Sequence, residues 1–64
     1  GDPSLAREAE RLLDDQSPLV RGAAVWALSQ LMAPEAFAAL TMGAAAGETD
    51  ADVRAEWMAC AARA

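Results

Sequence analysis

The sequence predicts an all-α fold, an α–α superhelix (solenoid) of two stacked helical hairpins, with four helices and no strands. Three observations carry that expectation. Proline stands at Asp2-Pro3, Ser17-Pro18 and Ala33-Pro34, and apolar residues at helical spacing follow each time. Alanine, the strongest helix former, fills 18 of 64 positions. The second half of the chain also restates the first at a fixed offset.

The first helix starts at Asp2-Pro3, with Asp as N-cap and Pro at the first helical position, where its missing N–H costs nothing. Leu5, Ala9, Leu12 and Leu13 form its apolar stripe, while Arg7, Glu8, Glu10 and Arg11 occupy the other side. The stripe gives out at Asp14-Asp15-Gln16.

Ser17-Pro18 opens the second helix, whose main apolar face is Val20, Ala24, Ala27, Leu28 and Leu31. Leu19, Trp26 and Met32 flank that face, and Val25 lies opposite much of it. A helix apolar nearly all round is buried on more than one side. This helix therefore has neighbours on both flanks.

The Ala33-Pro34 step ends it, because the residue before proline disfavours the α region. Pro34-Glu35 begins the third helix, with Phe37, Leu40, Thr41 and Ala44 along one line. Gly43 and the run Ala44 to Ala46 predict a weak or closely packed segment, and Gly47 a C-terminal cap. Asp50 (or Thr49) caps the fourth helix, which places Val53, Trp57, Cys60, Ala61 and Ala64 on one face.

Aligning Val20-Arg21 with Val53-Arg54 gives the offset, 53 − 20 = 33. Positions 20, 24, 27, 28 and 31 then fall on 53, 57, 60, 61 and 64, and the cap Ser17 falls on Asp50. Trp57 stands where the first repeat has Ala24, and Trp26 where the second has Ala59, an exchange of large and small that interdigitating layers would need. The expected core is therefore Val20, Trp26, Leu28, Val53 and Trp57. Residues 1–64 read as one domain, repeat one about 3–32 and repeat two about 34–63.

Size and composition narrow the function. Of the 35 hydrophobic residues (55%), all but 17 are alanine, too few large side chains for a robust independent core. With an opening Gly1-Asp2-Pro3 that lacks Met, this predicts a segment excised from a longer protein. Two repeats are also fewer than the about three that solenoids usually need, so an uncovered side of the first hairpin would drive self-association of the isolated segment. The absence of histidine excludes histidine general-base catalysis and His-ligated zinc within the chain, and the single Cys60 excludes an internal disulfide or a complete iron–sulfur cluster. No apolar run is long enough to span a membrane and no basic leader marks export. A net charge of −5 works against nucleic acid as a general partner.

A Pro-x-Val-Arg start followed by spaced alanines resembles the second helix of a HEAT-like repeat. The stretch Ser17-Pro18-Leu19-Val20-Arg21-Gly22-Ala23-Ala24-Val25-Trp26-Ala27-Leu28 is similar to the C-terminal HEAT-like repeat of epoxyqueuosine reductases. The tail from Glu48 to Trp57 resembles the stretch immediately after that repeat in some members. The resemblance implies a cytoplasmic parent oxidoreductase, with two four-iron clusters and cobalamin, that removes the epoxide oxygen of epoxyqueuosine in a tRNA anticodon. This chain would be its non-catalytic segment, without cofactors of its own, packing on the upstream catalytic domain and helping to place tRNA. Many members carry histidine where Ala23 stands, so no role of that side chain transfers. The alternative is a HEAT-like protein-interaction scaffold unrelated to tRNA.

No catalytic, cofactor or metal residue is expected. Arg21 and Arg54 begin equivalent helices, where they would meet tRNA phosphates or a protein interface, and Arg7 and Arg11 form a second such pair. The plainer reading is an inter-repeat ladder, since Asp14, Asp15, Asp50 and Asp52 lie in the adjoining turns. Cys60, on the face of Val53 and Trp57, reads as a buried, inert thiol.

Overall fold

A computed structural model describes residues 3–63. It contains α1 (Pro3–Leu12), α2 (Pro18–Leu31), α3 (Pro34–Gly47) and α4 (Ala51–Arg63), with no strand among the described residues. The expected cap Asp2 and the face position Ala64 lie outside the described residues. Short turns fold α1 with α2 and α3 with α4 into hairpins, and α2 lies broadly against α4. α1 and α3 make no close backbone approach, so the stack is held through the second helix of each hairpin and by the side chains reaching between them. The body measures 28 × 22 × 16 Å.

The helix starts follow from the sequence. Ser17 is extended, its Oγ accepts the Val20 N–H at 3.4 Å, and Pro18 fills the first turn. Asp50 does more, accepting from the N–H groups of Asp52 at 2.9 Å and Val53 at 3.0 Å. Between the hairpins, Met32 and Ala33 are both extended, Ala33 as the following proline favours, and Ala33 offers no side-chain cap.

The core runs through both hairpins: Ala9 from α1, Val25 and Leu28 from α2, Phe37 from α3, and Val53, Trp57 and Cys60 from α4. Trp57 stacks on Phe37 with ring centroids 5.5 Å apart, joining the two helices of the second hairpin. Full burial of side chains of this size stabilises by about 1.5–3 kcal/mol each. Thr41 is buried, and its hydroxyl donates to the Phe37 carbonyl at 2.9 Å, so it adds no unsatisfied group.

Three expectations are corrected. Trp26 is not core: it is 54% exposed, on the open side of α2 in line with Leu19 and Ala23. The expected interdigitation of the two tryptophans therefore does not occur. Val20 is half-buried, whereas Val25, on the side facing the second hairpin, is fully enclosed. In α3 the open space at Gly43 leaves that position loosely packed, while Ala44 and Ala45 pack against the core. Gly47 keeps a negative φ and belongs to α3, and the helix ends on extended Glu48, whose N–H donates to the Ala45 carbonyl at 3.3 Å.

Candidate functional site

The first turn of each second helix carries an arginine, and the two are built alike. Arg21 Nη1 donates to the carbonyls of Asp15 at 2.8 Å and Gln16 at 3.1 Å. Arg54 Nη1 donates to the Glu48 carbonyl at 2.7 Å. Asp15 and Glu48 are again 33 apart, as are the arginines. Their carboxylates also act alike, Asp15 accepting the Ser17 N–H and Glu48 the Asp50 N–H, each at 2.9 Å.

The remaining guanidinium edge of Arg21 crosses between the hairpins. Nε and Nη2 donate to the two oxygens of Glu48 at 3.0 and 2.9 Å, a two-pronged pair with both side chains largely covered. The Arg21 fork, together with the Asp50 N–H, holds the Glu48 carboxyl below the usual carboxylate range and raises Arg21 in turn. This is an inter-repeat ladder, but its acid is Glu48 rather than any of the four aspartates expected. The signal was in the sequence: Glu48 stands one period after Asp15 and six residues before Arg54.

The other arginines are more ordinary. Arg11 pairs with Glu8 on the exposed side of α1, drawing the Glu8 carboxyl down. Arg7 is exposed and makes no ion pair among the described residues. The four arginines expected to make contacts do not converge: two sit in the first turns of α2 and α4, two along α1.

A second feature is a groove of about 430 Å³ between α2 and α4. Pro18, Leu19, Gly22 and Ala23 form one wall, and Asp50, Asp52, Val53 and Glu56 the other. Leu19 is 86% exposed, and Trp26 continues its line with Ala23 at helical spacing i, i+4, i+7. Leu19 and Ala23 of this stripe thus face carboxylates on the next helix, and Trp26 extends it beyond the groove. Of these carboxylates, Glu56 has Arg63 at 3.8 Å and Asp50 serves as a cap, while Asp52 has no cation within ion-pair distance among the described residues. The period contained a signal for this stripe too, since Leu19 and Trp26 correspond to Asp52 and Ala59, a charged and a small residue.

Cys60 is buried, and burial raises its thiol above the ordinary value, helped by its S–H donating to the Glu56 carboxylate at 3.1 Å. A neutral, covered thiol is a poor nucleophile. Among the described residues no cluster of Cys, Asp and Glu is arranged to hold a metal ion, and no helix is long and apolar enough to cross a membrane.

Two hairpins in one register, tied by an arginine–carboxylate rung at their turns, define an α-solenoid protein of helical repeats. The family profile described as HEAT repeats matches residues 1–61, and the chain belongs to the HEAT-repeat family. No curated protein and no solved structure matches it significantly.

Proposed function

We propose that this chain is a non-catalytic interaction scaffold whose α2–α4 groove docks a basic, amphipathic segment of another protein. The observation that carries the reading is the solvent exposure of Leu19, across the groove from Asp52 and Glu56, and of Trp26 further along the same line of α2. Large apolar side chains left open along a helical line supply contact area, and the acidic wall selects cations. A partner helix with leucines spaced three and four apart and lysines along one flank satisfies both walls.

The test uses a designed Leu/Lys amphipathic peptide, with a Leu/Glu peptide of the same apolar spacing as control. Trp26 emission shifts to the blue on saturable binding of the Leu/Lys peptide, and added salt weakens the effect. Leu19→Ser or Trp26→Ala abolishes binding while the helical spectrum stays. Equal binding of the Leu/Glu peptide, or Leu/Lys binding indifferent to both substitutions, overturns the reading.

The resemblance of Ser17–Leu28 to epoxyqueuosine reductases supports a second reading, a support for tRNA beside an iron–sulfur oxidoreductase domain. Arg21 spends its fork on Glu48, which leaves Arg54 and Arg7 as the exposed arginines without an ion pair among the described residues. Titration with a tRNA anticodon stem-loop separates the two readings. Binding that weakens with Arg54→Glu and with added salt favours RNA, and its absence under conditions where the Leu/Lys peptide binds favours the protein partner.

A further inference from the structure

The α2–α4 groove is uneven along its length as well as across it. Pro18 and Leu19 lie beside Asp50 and Asp52, and Ser29 lies beside Cys60, so the two helices run in the same direction with both N-termini at one end. At that end Leu19 and Ala23 look across to Asp52 and Glu56. Further on, α2 carries Trp26, and its counterpart on α4 is the small, exposed Ala59. Arg63 follows one turn later. Its Nη2 donates to the Cys60 Sγ at 3.2 Å, which draws the guanidinium back toward the seam between α4 and Ser29 of α2. The outward row of α4 at i, i+4, i+7 and i+11 is therefore Asp52, Glu56, Ala59 and Arg63, acid at one end and base at the other.

Both poles have capacity left. Asp52 has no cation within ion-pair distance among the described residues, whereas Glu56 accepts the Cys60 S–H at 3.1 Å and Asp50 is spent on two backbone N–H groups. The Arg63 side chain is 62% exposed, and Glu56 at 3.8 Å stands beyond hydrogen-bond distance, so the guanidinium keeps donors for a second anion. Both walls lie within residues 18–63, so the pattern draws on nothing that precedes α1 or follows α4.

We propose that the groove takes its partner helix in one polarity: lysine beside Asp52, a large apolar side chain over Ala59 against Trp26, and a carboxylate beside Arg63. This rests on the docking reading above and narrows its partner from a helix basic along one flank to one with opposite charges at its two ends. At 1.5 Å per residue Asp52 and Arg63 stand roughly 16 Å apart along α4, so the partner's lysine and carboxylate are eleven residues apart. Ala59 leaves room opposite Trp26 for the bulky residue between them. A helix docked the other way round sets its acid beside Asp52 and Glu56 and its lysine beside Arg63, and the like charges at both ends reject it.

The test starts from the Leu/Lys peptide of the docking experiment, with lysine at both ends of its polar flank. One end lysine is exchanged for glutamate, eleven residues from a lysine that stays. For a chain of net charge −5, loss of a positive charge from the ligand should weaken a merely electrostatic attraction. The polarity proposal requires the opposite, binding tighter by about fivefold, and a reversal of that preference in Arg63→Glu. A nitroxide placed next to the glutamate broadens the Trp26 indole and Gln30 amide signals more than those of Leu19 and Asp52, and a nitroxide next to the retained lysine does the reverse. Weaker or unchanged binding after the exchange, or equal broadening at both ends from either label, overturns the polarity. Docking itself survives that result as long as the Leu/Lys peptide still depends on Leu19 and Trp26, whereas failure of either peptide to bind at all sinks both readings. Should Arg63→Glu lose its helical spectrum, the label pattern on the parent chain decides.

Discussion

α2 and α4 occupy equivalent places one period apart and spend their large side chains in opposite ways. α4 buries Trp57 against Phe37 and leaves Asp52 and Ala59 outward. α2 keeps the small Ala24 inside and turns Leu19 and Trp26 to solvent. Helix geometry and turn chemistry are shared, so the repeat fixes where a side chain points but not what it is for. A tryptophan holds the fold in one hairpin and makes a surface in the other.

Replacing each tryptophan breaks that comparison most sharply. Trp57→Ala removes a 2%-exposed ring from the centre of the core and is expected to cost about 3–5 kcal/mol, comparable with the entire stability of so small a domain. Thermal melts of this variant should lose their cooperative transition at room temperature or close to it. Trp26→Ala should stay within about 0.5 kcal/mol of the parent and lose only peptide docking. Equal destabilisation by the two would show that the hairpins are not used differently.

The next contrast is between Arg21, which closes the rung on Glu48, and its counterpart Arg54. Glu48→Gln leaves the Arg21 fork without its anion in a largely covered place, and the melting temperature at neutral pH should fall by roughly 5 °C. Arg54→Ala removes only one bond to a carbonyl and should cost less. The Glu48 carboxyl is held down in the folded chain, so its contribution is fully present above the ordinary carboxylate pKa of about 4.3 and is lost as pH falls through the lowered value. Melts of parent and Glu48→Gln should therefore converge in acid. A constant gap from pH 7 to pH 2 would refute the assignment.

Element positions are legible in the sequence because they rest on local chemistry. Ser17-Pro18 and Ala33-Pro34 act on their own backbone, and no distant contact overrides them. The period of 33 likewise places Val53 and Trp57 correctly relative to α2. Direction within an apolar helix is a different matter. When a helix is apolar nearly all round, period alone cannot say which flank is uncovered, and α2 is such a helix. Trp26 reads as core by its kind, although its counterpart Ala59 already marks the position as one that needs no bulk. Glu48 escapes a reading that pairs the arginines with aspartates of the turns, because the rung is completed from the end of α3.

The caps give a smaller contrast in the same pair of helices. Asp50 accepts two backbone N–H groups at 2.9 and 3.0 Å, while Ser17 accepts one at 3.4 Å. Asp50→Ala should cost about 1–2 kcal/mol and Ser17→Ala about 0.5 kcal/mol, read by urea denaturation with an unchanged slope. Reversal of that order would mean that Pro18, and not the serine hydroxyl, sets the start of α2 in a way α4 cannot copy.

The gentlest test makes the first hairpin more like the second. Gly22 is the counterpart of Ala55, both within helices, and a methyl group built on Gly22 meets nothing within 4 Å. Glycine inside a helix is less favourable than alanine by about 0.5–1 kcal/mol, because the unfolded chain gains more freedom and the helix gains no contact. Gly22→Ala and Gly43→Ala should therefore each raise stability by that amount, since Gly43 also has open space. Only Gly22 lines the α2–α4 groove, so only its substitution should change affinity for the Leu/Lys peptide. If both variants gain stability and Gly43→Ala alters peptide affinity as much as Gly22→Ala, the docking surface lies elsewhere than the wall formed by Leu19 and Ala23.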